Sequence, residues 1–329
     1  MNKILYAIIG LVAFGLTACN EDDNRPSQVD STIMLRANVS SIDVTRGVAD
    51  GEIFEGKSAD GMTAEVWFSN ERGKFVKNDT PESPTFIPYH TTVTYSDETP
   101  MPVYVDPETQ AQPLSYPIGA TAHDVFCVGM YPAASWSVTD DGRKAFHPID
   151  GLKDIMFADQ IKGTWDVPFT AQQYRHLLTW IKIEASITKV EAAAQWGDIT
   201  SIKVLNPHNQ VDITFATDQS ASAVTYSGPE TYIPVVEDTN IPLSVVVSNV
   251  GSFLCTPSPT ITLVITTEKM GERTVEVQLK DANKNALTSY TQAIGKLFII
   301  NLYFSALDDI DAVCHLVPWN EQNIDLIGK

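Results

Sequence analysis

Apolar and polar residues alternate with a period of two along most of this chain, the spacing of strands buried on one face. Ile33 to Val39 and Ser41 to Thr45 predict two early strands, and Ala64 to Phe68 a third. Val125 to Tyr131 is apolar at nearly every position, so it predicts a central strand covered on both faces. In the second half, Ile181 to Ile187, Ile202 to Leu205, Val211 to Phe215 and Thr274 to Leu279 alternate strictly. Leu243 to Val247 and Ile261 to Ile265 are more continuously apolar and predict strands packed on both sides. Asp141-Gly142 marks a hairpin turn. The one predicted helical turn is Val190 to Trp196, whose Glu-Ala-Ala-Ala run stops at Gly197. Thr80 to Pro117 is rich in proline and holds two short extended pieces, Thr91 to Tyr95 and Val103 to Val105.

The first residues follow a different rule. Lys3 is followed by an uncharged run from Ile4 to Ala18, too short for a bilayer span, which needs about 20 residues, but suited to a signal-peptide core. It ends in Leu16-Thr17-Ala18-Cys19, which resembles a lipobox. Residues 1–18 are therefore expected to be a lipoprotein signal peptide, and Cys19 the lipidated (palmitate-bearing) N-terminus of the mature chain. The acidic run Glu21-Asp22-Asp23 and the irregular residues up to 30 predict a tether, and the cluster resembles signals that send lipoproteins to the outer face of the outer membrane.

Composition bounds the rest. The 329 residues less the signal exceed what one core usually serves, and the wealth of Val, Ile and Thr with 19 prolines predicts an all-β protein. Two β-sandwich domains are expected, residues 31–166 and 167–329. Net charge is −19, and loss of Lys3 with the signal takes it to −20, which repels nucleic acid and excludes it as a partner. Cys127, Cys255 and Cys314 have no metal-type spacing, and Cys127 sits in an apolar run as a small buried residue would.

Catalytic signatures are lacking in the sequence. There is no G-x-S-x-G, no H-E-x-x-H and no glycine-rich phosphate loop, so no enzyme activity, cofactor or metal is predicted. His123 and His176 read as capping or packed residues. Asp308-Asp309-Ile310-Asp311 reads as a solvated turn, without the glycine and bidentate glutamate of an EF-hand.

Several weak signals fall in a recognisable order. After the lipobox come Thr45-Arg46-Gly47, Asp154-Ile155-Met156-Phe157-Ala158, Val167-Pro168-Phe169, His176-Leu177-Leu178 and Ile181-Lys182-Ile183. Gly295 to Leu302 and Val317-Pro318-Trp319-Asn320 close the chain. This order resembles the fimbrillin family, the lipoprotein subunits of type V pili. The resemblance implies tandem transthyretin-like, Greek-key sandwiches and a structural, adhesive role at the cell surface. It also implies an arginine-specific protease that cuts near the N-terminus, removes the first strand, here residues 31–46, and opens a groove. A strand from another fimbrial subunit then fills that groove. Arg46 is the matching position, with Arg36 and Arg72 as alternatives. Residues 315–329, ending in Ile324-Asp325-Leu326-Ile327, are either the donor strand or the last strand of their own domain. Two further roles stay open, a non-polymerising anchor subunit and a surface glycan-binding lipoprotein of a nutrient-uptake system. Trp136, Trp165 and Trp196 would be the aromatic platforms of the latter.

Overall fold

The structure, a computed structural model, describes residues 31–39, 59–76, 88–119 and 122–317. The first half contributes β1 (Met34–Leu35), β2 (Ala37–Val39), β3 (Thr63–Ser69), β4 (Tyr89–Thr94), β5 (Met101–Pro102), β6 (Val125–Tyr131), β7 (Ser137–Val138), β8 (Lys144–Pro148) and β9 (Met156–Gly163). The second half contributes β10 (Gln172–His176), β11 (Thr179–Ile187), β12 (Ile199–Asn206), β13 (Gln210–Thr214), β14 (Ala223–Ser227), β15 (Thr231–Val236) and β16 (Ser248–Cys255). It ends with β17 (Thr260–Thr267), β18 (Gly271–Gln278), β19 (Leu297–Phe304) and β20 (Ile310–Val317). The one α-helix among the described residues, α1, is Val190–Trp196 as the sequence predicts. The chain is all-β, built as packed sheets.

A six-stranded sheet in the order β2-β10-β9-β6-β3-β4 organises the first half. Its central strand β6 is buried at every position except Tyr131, because successive side chains point to opposite faces and both faces are covered. Val125 and Cys127 face one core with Ala64, Val66 and Phe68. Phe126, Val128 and Met130 face the other with Trp67 and Phe157. The period-two rule thus splits one continuous apolar run between two cores.

The second core runs on into the C-terminal half. Two four-stranded sheets, β16-β11-β19-β20 and β15-β12-β17-β18, bury Ile181, Ile183, Val204, Leu263, Phe298 and Ile300 between them. A further sheet, β14-β13-β8-β7, joins the halves, with Val211 of β13 opposite His147 of β8. Phe215, just past β13, packs edge-on against Phe75 at 4.8 Å.

Two departures from the sequence expectation have plain causes. A division at residue 166 does not follow the strand pairing, because β10 joins the first sheet beside β9 and β13 reaches back to β8. Open sheet edges leave backbone groups unpaired, so a nearby extended segment is drawn to them wherever it falls in sequence. Leu243 to Val247 is also not a strand. Val245, Val246 and Val247 form an exposed loop, and the strand begins at Ser248, where Gly251, Phe253 and Leu254 pair with β11.

Candidate functional site

Residues 31–39 run extended along one edge of the first half. Every second side chain enters the first core: Ile33, Leu35 and Val39 are 0% exposed and Ala37 is 6% exposed. Arg36 and Asn38 point to solvent. The segment changes partners midway. β1 pairs antiparallel with β5, while β2 pairs parallel with β10, Ala37 lying opposite Gln172. Between them the Arg36 carbonyl accepts from Gln172 N–H at 2.8 Å. Upstream, Ile33 N–H donates to Leu114 O at 2.8 Å, Val103 N–H to Ile33 O at 3.0 Å and Tyr116 N–H to Ser31 O at 2.8 Å. The strand is therefore held on both sides by backbone bonds and from below by apolar contact.

Remove it and what remains is a groove. Its walls are Val103, Leu114, Tyr116 and Tyr174, all buried in the same core. Fully burying three such aliphatic side chains contributes about 1.5–3 kcal/mol each, so Ile33, Leu35 and Val39 together supply on the order of 5–9 kcal/mol. Loss of β2 also strips β10 of its parallel partner and turns it into the sheet edge.

The floor near β2 is polar but satisfied. Tyr95 Oη donates to Gln172 Oε1 and lies 3.0 Å from Tyr174 Oη, and Gln172 Nε2 reaches Cys127 Sγ at 3.4 Å. Burial pushes the Cys127 thiol far above its ordinary value, and burial followed by the neighbouring Tyr174 does the same for the Tyr95 phenol. Both stay neutral, which removes the cost of a buried charge beneath the strand. Gly129 is required here, since a Cβ would overlap the Tyr174 hydroxyl.

The opposite end of the chain is held differently. β20 lies at the edge of its sheet and pairs only with β19, Leu297 opposite Val317 through Phe304 opposite Ile310. Cys314 is its one buried residue, and Val313 is 40% exposed. His315, Leu316 and Val317 close this strand, and the rest of the segment 315–329 lies outside the described residues.

No family model matches this sequence, and no curated protein matches it. Similar solved structures do exist. A protein provisionally named for cell adhesion, from Bacteroides uniformis, is 14% identical with a TM-score of 0.49, covering 88% of this chain and 98% of its own. A fimbrial protein from Bacteroides vulgatus is 12% identical with a TM-score of 0.41, covering 88% and 99%. The fimbrial anchor protein Mfa2 from Porphyromonas gingivalis is 9% identical with a TM-score of 0.41, covering 88% and 97%.

Of the residues singled out in the sequence, Cys19 and Arg46 lie outside the described residues. Arg36 sits within the groove-filling segment itself. Arg72 is tied down, donating to Asp218 O at 3.1 Å and lying 4.8 Å over the Phe126 ring. Cys127, Cys255 and Cys314 are free, buried thiols. The tryptophan platforms are corrected. Trp196 is fully buried, its indole N–H donating to Ser305 O at 2.7 Å, and Trp136 is half-buried against His147 with its N–H on Pro132 O at 3.0 Å. Trp196 belongs to the core and Trp136 packs at its margin, and only Trp165 of the three is exposed. His176 is buried, with its Nδ1 hydrogen-bonded to Asp154 Oδ2 at 2.5 Å, tying the end of β10 to the loop before β9. Sequence reasoning missed the Tyr95, Gln172 and Tyr174 floor. Tyr95 and Tyr174 are 79 residues apart, and no local pattern joins them.

Proposed function

We propose that this chain is a structural subunit of a surface fimbria serving adhesion. In this reading it is exported as a lipoprotein held at the outer membrane through Cys19, cut after Arg46 by an arginine-specific protease, and polymerised by donor-strand exchange with other fimbrial subunits. The observation that carries it is the seating of residues 31–39. They form a single edge segment with alternate side chains fully buried, and they run directly into the stretch that holds Arg46. A strand seated in this way can be exchanged for another of the same pattern, because backbone pairing supplies affinity and alternate pockets supply register. The adhesion and fimbrial names of similar structures agree with the reading.

While residues 31–39 stay covalently attached, their effective concentration keeps an outside strand from competing. Cutting after Arg46 ends that advantage. The precursor is therefore expected to be monomeric, and limited trypsin treatment should yield dimers and larger species on a sizing column, with residues 31–46 released. Arg46→Ala should remain uncut at that site and monomeric. A cut form that has lost residues 31–46 yet stays a stable monomer would refute strand exchange.

A further inference from the structure

A second site lies among strands and connections of the second half, and shares no residue with the groove. Pro207, His208, Thr225, Tyr226, Thr256, Pro257, Ser258, Pro259 and Tyr290 line a cavity of about 370 Å³, at the small end of ligand pockets, which run to roughly 300–1,000 Å³. Its walls are braced rather than loose. The fully buried Asn206 side chain donates to His208 O, and its Oδ1 accepts from Thr256 N at 2.9 Å, so one amide clamps both proline-bearing loops. Thr256 Oγ1 adds a bond to His208 O at 2.7 Å. Tyr226 is fixed through its hydroxyl on Leu177 O, and Tyr290 sits on a short 3-10 turn closed by a Ser289–Gln292 capping box. The two tyrosine rings meet edge to face at 5.9 Å, and Tyr290 remains 40% exposed.

We infer that this cavity binds a neutral saccharide, of mono- or disaccharide size, stacked on Tyr290. None of the lining residues carries a permanent charge, which gives an ionic ligand no partner. An aromatic wall suits the C–H face of a sugar ring, while the Thr225 and Ser258 hydroxyls and the His208 imidazole offer hydrogen bonds to its edge. Because the three prolines and the Asn206 clamp fix the walls beforehand, little ordering is needed on binding. The inference rests on the cavity alone and stands whether or not the chain polymerises.

Saturation-transfer NMR on the full chain, with lactose, maltose and diacetylchitobiose as probes and sorbitol as the non-ring control, tests it. At least one disaccharide should receive saturation where sorbitol does not. Tyr290→Ala should weaken that binding about tenfold, the scale of one aromatic contact, while Tyr290→Phe keeps it within a few fold. Tyr290 is exposed, so an unchanged melting temperature shows that the Ala variant is folded. The inference is overturned if no saccharide receives saturation, if sorbitol receives as much, if folded Tyr290→Ala binds as the parent does, or if a proline-rich peptide binds where no sugar does.

Discussion

Residues 31–39 and β20 both lie at sheet edges, yet they are secured by different forces. The N-terminal segment buries Ile33, Leu35 and Val39 completely and exchanges backbone bonds with two different regions of chain. β20 has a longer register of backbone pairs but buries only Cys314. A hydrogen bond contributes about 0.5–1.5 kcal/mol net because the open strand bonds to water instead, whereas a buried aliphatic side chain contributes about 1.5–3 kcal/mol. The first edge is therefore a plug in a core and the second a veneer on one. Removing the plug opens a hydrophobic trough; peeling back the veneer uncovers Cys314 and the partly buried Ile310, Ala312, Leu316 and Val317.

The largest effect that probes this contrast is Leu35→Ala. Leu35 is 0% exposed, and large-to-small changes at such positions cost about 2–5 kcal/mol. Urea unfolding should show that loss. The variant should also accept an outside strand more readily before any cut. A loss below about 1 kcal/mol would mean that the groove collapses easily around a smaller side chain, and the plug description would fail.

Next in size are the thiols, Cys127 beneath the first edge and Cys314 on the second. Burial raises Cys127 far above the usual thiol range and raises Cys314 to about 11, in the latter case partly offset by the Lys280 backbone and charge. A thiol raised in the folded state keeps its proton there while the unfolded chain, titrating near 9, loses it. Stability is thus full below pH 9 and falls as pH climbs, by about 1.4 kcal/mol per unit per thiol, until the folded value is reached. For Cys314 the window closes near pH 11. Melting curves from pH 8 to 10.5 should show the decline. Alkylation with iodoacetamide at pH 10 should label Cys314 before Cys127, and the reverse order would contradict the account of which edge is sealed.

Much of this fold is legible in local pattern, and the failures share a cause. Val125 to Tyr131 predicts a doubly covered strand because it is apolar on both faces, and α1 is announced by Ala192, Ala193 and Ala194 before Gly197. The Asp141-Gly142 turn is equally local: Asp141 Oδ1 accepts from Arg143 N at 3.0 Å, and Gly142 takes a φ of 69°. Val245 to Val247 reads as a strand from composition, yet all three side chains are exposed and the strand begins only at Ser248. The alternation of Ile33 to Val39 marks a strand, though not that β2 would run parallel to β10, more than a hundred residues on. The tyrosine cavity and the Asn206 clamp have no sequence signature, because their parts come from three separate connections and the strands β12 and β14. Period and turn chemistry are properties of neighbours in sequence; partner choice is a property of the folded surface.

The smallest effect is expected at β20, and its smallness carries the weight. Val313 stands on the exposed face of the strand, 40% accessible, opposite Asn301 of β19. Replacing it with alanine removes methyl groups that are largely in water already, so stability should change by less than about 0.5 kcal/mol, the ordinary range for surface positions. The strand's backbone pairs are untouched, and far-ultraviolet circular dichroism should be unchanged. Hydrogen exchange supplies a second measure: amides of β20 should exchange faster than those of β11 in the middle of the same sheet, since edge strands with few buried contacts open at lower free energy. If Val313→Ala instead costs as much as Leu35→Ala, β20 is gripped by contacts beyond those of its own sheet, and the easily peeled edge that strand donation requires is not there.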